Sequence, residues 1–141
     1  MMEDKEPPSI VKNVMARPVI TVDSNSLIYE AARIMSEKGI GSVVVVEKGK
    51  HVGIVTERDI LKRVVARGLD ASKVRAKDIM SKALITVNGN TPIINAIRLM
   101  EKNKVRRLLV IERGRLVGIV TQRDLLRVLA FHVIISFRPL L

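Results

Sequence analysis

Two short stretches of the chain have residue types and spacing suited to chemistry, Thr56-x-x-Asp59 and Thr121-x-x-Asp124, each with an arginine (Arg58, Arg123) just before the acid. A threonine hydroxyl with a carboxylate three residues on suits a helix start. The hydroxyl accepts an orphan N–H, and the carboxylate reaches back to the threonine N–H. A carboxylate has lone pairs to spare, so the cap role and a ligand role are compatible. Each arginine adds positive charge where a helix already favours anions. Arg58 and Arg123 are either exposed first-turn charges or phosphate contacts, and both readings stay open. Gly53 and Gly118 lie three residues before each threonine. Within a strand, that points to close backbone approach, here by a ligand.

Other chemistry finds no residues to carry it. There is no cysteine, hence no disulfide, thiolate metal site or cysteine nucleophile. His51 and His132 have no partner at metal-ligand spacing and are assigned nothing. Phosphate-loop, dinucleotide and nucleophile-elbow signatures are all missing from the sequence. The expectation is a binding protein, with no metal, no catalytic residue and no catalytic cofactor.

The elements that position these residues come from a repeat. The motif octets from Gly53 and from Gly118 are offset by 118 − 53 = 65 residues. The same offset places Met15 on Met80, Thr21-Val22 on Thr86-Val87, Ala31 on Ala96, Met35 on Met100 and Gly49 on Gly114 without a gap. One structural unit is made twice.

Within each copy, a β-branched run (Val19 to Val22) bounded by Pro18 and Asp23-Ser24-Asn25 predicts a strand. A helix follows, with Ser26 as expected N-cap, an apolar stripe of Leu27, Ala31, Ile34 and Met35, and Gly39 at its end. In the second copy Thr91-Pro92 predicts the cap and first helical position. Ser42 to Val46, a turn at Glu47 to Lys50, and His51 to Val55 form a hairpin, repeated at Arg107 to Val120. Its continuously apolar strands should be buried on both faces. A second helix starts at Thr56 and stops near Gly68. The predicted fold is α/β (α+β), two β-α-β-β-α repeats in pseudo-two-fold arrangement. The expected layout is an N-terminal arm over 1–9, repeat 1 over 10–68, a linker over 69–76, repeat 2 over 77–130 and an apolar tail over 131–141.

This pattern resembles a tandem pair of cystathionine β-synthase (CBS) domains, a Bateman module. The resemblance rests on the Gly-Ile-Val-Thr-x-Arg-Asp octets, on Val14-Met15 and Ile79-Met80 before the first strands, and on the element order, and it spans about residues 10 to 130. It implies a regulatory module for adenosyl ligands: AMP, ADP, ATP or S-adenosylmethionine. It further implies that Asp59 and Asp124 accept ribose hydroxyls, with Thr56 and Thr121 near ribose and phosphate. By the family's crossed pattern, one site would combine Ile54, Thr56, Arg58 and Asp59 with Ile85, Val105, Arg106 and Arg107. The other would combine Ile119, Thr121, Arg123 and Asp124 with Ile20, Ile40, Gly41 and Ser42. Where one site has Arg106-Arg107 the other has Gly41-Ser42, and only guanidinium groups fork onto phosphate oxygens. The Asp59 site should therefore be the better phosphate binder. For the isoleucines, an adenine slot and ordinary strand core are both open readings.

Composition bounds the rest. At 141 residues, with 48% hydrophobic side chains but no Trp, one Tyr and two Phe, the core must be aliphatic. Two units of this size are each marginal alone and should share a core. The net charge of +11 favours polyanionic partners, which keeps a nucleic-acid-binding protein as the main alternative. Against it stand the scarcity of aromatic residues for base stacking and the scatter of basic residues over both repeats. A ligand-free structural dimerisation module is the third reading. No stretch suits a membrane span or signal peptide, and a reducing cytoplasm is the expected location. Lys102-Asn103-Lys104 reads as a solvated helix end that lends field to a nearby cleft. The tail either extends the last helix over the core or contacts another subunit. A homodimer is expected, as is an effector protein acting in trans.

Overall fold

The computed structural model describes residues 8–82 and 84–137. Most of the expected N-terminal arm, and Arg138 to Leu141 of the tail, lie outside the described residues. The chain forms two compact units, only one of them a continuous stretch. One is Val19–Leu84, and the other gathers the segment through Pro18 with the chain from Ile85 onward.

In the first unit, strands β1 (Thr21–Asp23), β2 (Ser42–Glu47) and β3 (Lys50–Thr56) form a sheet in that order. β1 runs parallel to β2, pairing Val22 with Val45, and β2 runs antiparallel to β3, pairing Val44 with Ile54. Helix α1 (Ile28–Lys38) makes the crossover between the parallel strands. Val43, Val45 and Val55 pack on Ile28, Ala31 and Met35 of α1 and on Val64, Ala76 and Ile79. Val44 and Ile54, on the opposite sheet face, are buried as well, so the expectation of two buried faces holds. Helix α2 (Glu57–Ile60) runs on into a π-helical turn at Leu61–Val65, and a short α3 (Ala76–Ile79) follows.

The second unit repeats this plan. β4 (Thr86–Val87) is parallel to β5 (Arg107–Glu112), which is antiparallel to β6 (Arg115–Thr121), with α4 (Ile93–Asn103) between β4 and β5. Leu108, Val110 and Val120 pack on Ile93, Ala96 and Met100 of α4, on Leu125 and Val128 of α5, and on Val11. Both hairpins turn on two residues with positive φ, Lys48-Gly49 and Arg113-Gly114, the backbone that matches strand twist.

The helix starts differ from expectation. Leu27, not Ser26, is the N-cap of α1, and Pro92, not Thr91, that of α4, neither with a side-chain cap bond. The reason is that other backbone carbonyls take the orphan N–H groups. Ile28 and Tyr29 donate to Val74 and Ala71 of the linker at 2.8 and 3.1 Å, and Ile93 donates to Ser9 at 3.0 Å. Ser26 instead offers its carbonyl to Ala76 N–H, as Thr91 does to Val11 N–H. Each leading segment thus closes the helix start of the unit it belongs to.

Gly39 ends α1 in the left-handed conformation as expected, while Lys104 takes that role after α4 at φ +53°. The last helix, α5 (Gln122–Phe137), continues into the tail as far as Phe137. Most of its described side chains there are not buried. Phe131, Val133, Ile134 and Ile135 are exposed.

Candidate functional site

Both motifs sit where a hairpin's second strand turns into a helix. Thr56 caps α2, its hydroxyl accepting Asp59 N–H at 3.1 Å while Asp59 Oδ2 accepts Thr56 N–H at 2.9 Å. Thr121 and Asp124 make the same reciprocal pair at 3.2 and 2.9 Å. Two backbone donors are satisfied in each box. The box leaves Oδ1 of each aspartate outside the cap.

The surroundings then diverge. Thr121 also donates its hydroxyl to Asp124 Oδ2 at 3.0 Å, a bond that Thr56 does not make among the described residues. Asp59 Oδ1 instead lies 4.0 Å from Arg63 Nε, and the Asp59 side chain is 16% exposed against 47% for Arg63. Arg63 Nη1 donates to the Ile79 carbonyl at 2.7 Å.

The glycines do mark close approach, but of a different kind from the one expected. A Cβ on Gly53 would fall 2.5 Å from Met80 Sδ, and one on Gly118 would meet Met15 Sδ as well as the Ala16 carbonyl oxygen. The neighbours are methionines of the leading segments, not a ligand. The signal lay in the repeat itself, since the Met15–Met80 pair recurs with the same offset as the glycines. Next to each glycine, Ile54 exchanges N–H and C=O bonds with Ser81 at 3.0 and 2.9 Å, and Ile119 does so with Ala16 at 3.1 and 2.8 Å. The backbone of both isoleucines is thereby engaged, and the Ile54 side chain is buried.

The remaining candidates fall within the units as follows. In the first unit Gly41 accepts Glu57 N–H at 3.0 Å and Ser42 is paired with Thr56, with Ile20 and Ile40 packed on the core beside them. In the second, Arg106 accepts Gln122 N–H at 2.8 Å and Arg107 is paired with Thr121, with Ile85 and Val105 packed on its core. Each unit therefore brings together the Thr-Asp pair assigned to one site and the strand-entry residues assigned to the other. Arg58, Arg106 and Arg123 are exposed, whereas Arg107 is half-buried.

A cavity of about 470 Å³ lies in the second unit, between the end of α4 and the start of α5. Met100, Leu125 and Leu129 line it, with Lys104 and Arg106 among its polar residues; Thr121 and Asp124 do not. Among the described residues no group of His, Asp and Glu side chains is arranged to hold a metal. No helix among them is long and apolar enough to cross a membrane. Among the described residues, Asp70, which belongs to neither motif, has its acidity shifted. The Ser72 hydroxyl and then the Ser72 N–H hold the Asp70 carboxyl below its ordinary 3.8.

The family model described as CBS domain matches the chain twice, over residues 11–66 and 76–131. The uncharacterized protein MK0525 of Methanopyrus kandleri is 43% identical over 120 residues, 84% of this chain and 61% of that protein. This chain thus spans less than two thirds of that relative's length. Among solved structures, the CBS domain pair of protein MJ0100 in complex with 5′-methylthioadenosine and S-adenosyl-L-methionine is 33% identical, with a TM-score of 0.78 over 87% of this chain and 97% of that one. The hexameric CBS-CP12 protein from bloom-forming cyanobacteria is 31% identical, with a TM-score of 0.76 over 83% and 69%.

Proposed function

Because the chain belongs to the CBS-domain family, carrying the domain twice, we propose that it is a non-catalytic regulatory module that binds an adenosyl ligand and signals its occupancy to a partner protein. One observation carries the reading. Each Thr-x-x-Asp box satisfies its own helix start and still holds a carboxylate oxygen in reserve, which is the acceptor a ribose diol needs. The ligands bound by the MJ0100 pair share that adenosyl group.

In this reading Asp59 and Asp124 accept ribose hydroxyls, with Thr56 and Thr121 beside them. The crossed composition assigns Ile85, Val105, Arg106 and Arg107 to the ligand of Asp59, and Ile20, Ile40, Gly41 and Ser42 to that of Asp124. AMP, ADP, ATP and S-adenosylmethionine are the candidates. A ligand that binds one conformation better than another shifts the population toward it, and that shift is the signal. Self-association through α5 belongs to the same proposal, supported by the exposed apolar side chains from Leu126 to Ile135 and by the hexameric state of the cyanobacterial relative. A cysteine-free chain suits the cytoplasm, where we propose it acts.

Titration of the full chain with ATP and AMP tests the assignment. Arg106→Ala should weaken ATP by about tenfold, the scale of a charge-assisted phosphate contact. Unchanged affinity for both nucleotides would overturn the role of Arg106.

A further inference from the structure

The two motif helices differ one turn past the acid. In the first unit the helix widens at Leu61–Val65, where Ala66 N–H reaches back to the Leu61 carbonyl at 2.8 Å. In the second, α5 is regular throughout. A π turn holds an extra residue and rotates everything after it. The consequence can be read from the core. Val128, the counterpart of Arg63 by the 65-residue offset, is buried at 6% exposure, while in the first unit Val64 fills the core at 1%. The widened turn moves position 63 out of the core and lets it be an arginine.

That arginine spans two structures. Its Nη1 donates to the Ile79 carbonyl at 2.7 Å, with the Met80 carbonyl at 3.5 Å, and its Nε lies 4.0 Å from Asp59 Oδ1. Met80 in turn lies over Gly53, and Ser81 pairs with Ile54 two residues before Thr56. The chain of contacts closes into a loop: Asp59, Arg63, the end of α3, Ser81, Ile54 and back to Thr56.

We propose that Arg63 is a positioning residue of the first motif, aiming the free oxygen of Asp59 and tying its occupancy to residues 76–81. The inference rests on the reading of Asp59 as a ribose acceptor. The carbonyl anchor fixes the guanidinium, which then holds Oδ1 in one orientation before a ligand arrives. Preorganisation of this kind raises affinity by lowering the ordering cost of binding. A ligand that draws on Oδ1 alters its contact with Arg63, and the Ile79 and Met80 carbonyls feel the change. The second motif has Val128 at this place and lacks the device.

The test uses the full chain, titrated calorimetrically with AMP, ATP and S-adenosylmethionine. Asp124→Ala leaves the first motif as reporter, and Asp59→Ala leaves the second. Arg63→Met keeps the stem and removes the donors, and Arg63→Lys keeps the charge. In the Asp124→Ala background Arg63→Met should weaken binding by about fivefold, the scale of a partly exposed charge contact, with partial rescue by lysine. In the Asp59→Ala background it should change nothing. Ligand should also slow amide exchange of Ser81 in the parent chain but not in Arg63→Met. Equal weakening of both motifs, or no change at the first, overturns the role of Arg63 while leaving the sensor reading intact. No binding by any adenosyl compound to the unmutated chain overturns both.

Discussion

In the first repeat the Asp59 carboxylate keeps one oxygen in its cap and turns the other toward Arg63, 4.0 Å away. In the second, Asp124 Oδ2 takes both the N–H and the hydroxyl of Thr121, and Val128 stands where Arg63 would be. The Thr-x-x-Asp box and the backbone pairing around it are shared. A ligand approaching Thr56 meets a hydroxyl that accepts within the cap and donates to no described residue. At Thr121 the hydroxyl is already donated to its own aspartate. The cap is common to both repeats, and the surroundings of the two acceptors differ, with Arg63 one helical turn past Asp59 and Val128 one turn past Asp124.

The glycine positions carry the largest stability effect. A Cβ on Gly53 would meet Met80 from Sδ at 2.5 Å down to its Cβ at 3.0 Å, and one on Gly118 would meet Met15 and the Ala16 carbonyl at 3.2 Å. The methionine sulfurs can swing aside, but Met80 Cβ and the Ala16 carbonyl move only with their backbone. We expect about 2 kcal/mol for either glycine-to-alanine substitution, the range of overpacking in closed interiors. Chemical denaturation measures both, and Met80→Ala, which keeps its Cβ, should relieve only part of the cost of Gly53→Ala. Full relief would show that the leading segment itself yields.

The caps come next. Thr56→Ala and Thr121→Ala should each cost about 1 kcal/mol, the usual loss for a helix N-cap. Thr121→Ala should be the larger, since it also removes the 3.0 Å hydroxyl bond to Asp124. Serine at either position should restore most of the loss, and thermal unfolding decides.

Lys104 and Gly39 supply the smallest contrast. Both adopt positive φ at a helix end, +53° and +62°, a conformation that disfavours a side chain. Lys104→Gly should stabilise by about 0.5–1 kcal/mol, and Gly39→Lys should destabilise by a similar amount. A neutral result at Lys104 would show that its contacts at the cavity rim offset the backbone cost.

Much of the plan was legible because it depends on local pattern made twice. The hairpins follow from apolar runs around Lys-Gly and Arg-Gly turns, and the Thr-x-x-Asp boxes follow from spacing alone. What escaped depends on partners distant in sequence. Ser26 and Thr91 looked like caps, yet the carbonyls of Val74 and Ser9 do that work. Gly53 and Gly118 signalled close approach correctly, but periodicity cannot say that the neighbour is Met80 or Met15. Helical spacing assumes a constant 3.6 residues per turn, so the widened turn at Leu61–Val65 and the outward Arg63 were invisible to it. The trace it left was the mismatch of Arg63 with Val128 under the 65-residue offset. The apolar tail carried no core-or-surface label, and the helix it forms leaves Phe131 to Ile135 in the open.

The central claim is that the reserved oxygens of Asp59 and Asp124 receive an adenosyl ligand. Thermal unfolding of the full chain with AMP, ADP, ATP, S-adenosylmethionine, GTP and a short DNA duplex, each at about 1 mM, tests it most directly. A ligand present at ~100 times its dissociation constant adds about 2.7 kcal/mol of stability. The account predicts a raised melting temperature with at least one adenosyl compound and none with GTP. It also predicts that Asp59→Asn plus Asp124→Asn, which keeps a cap acceptor, abolishes the shift. No adenosyl shift, or a shift that survives both substitutions, would contradict it, and a salt-sensitive response to DNA alone would assign the +11 charge to nucleic acid instead.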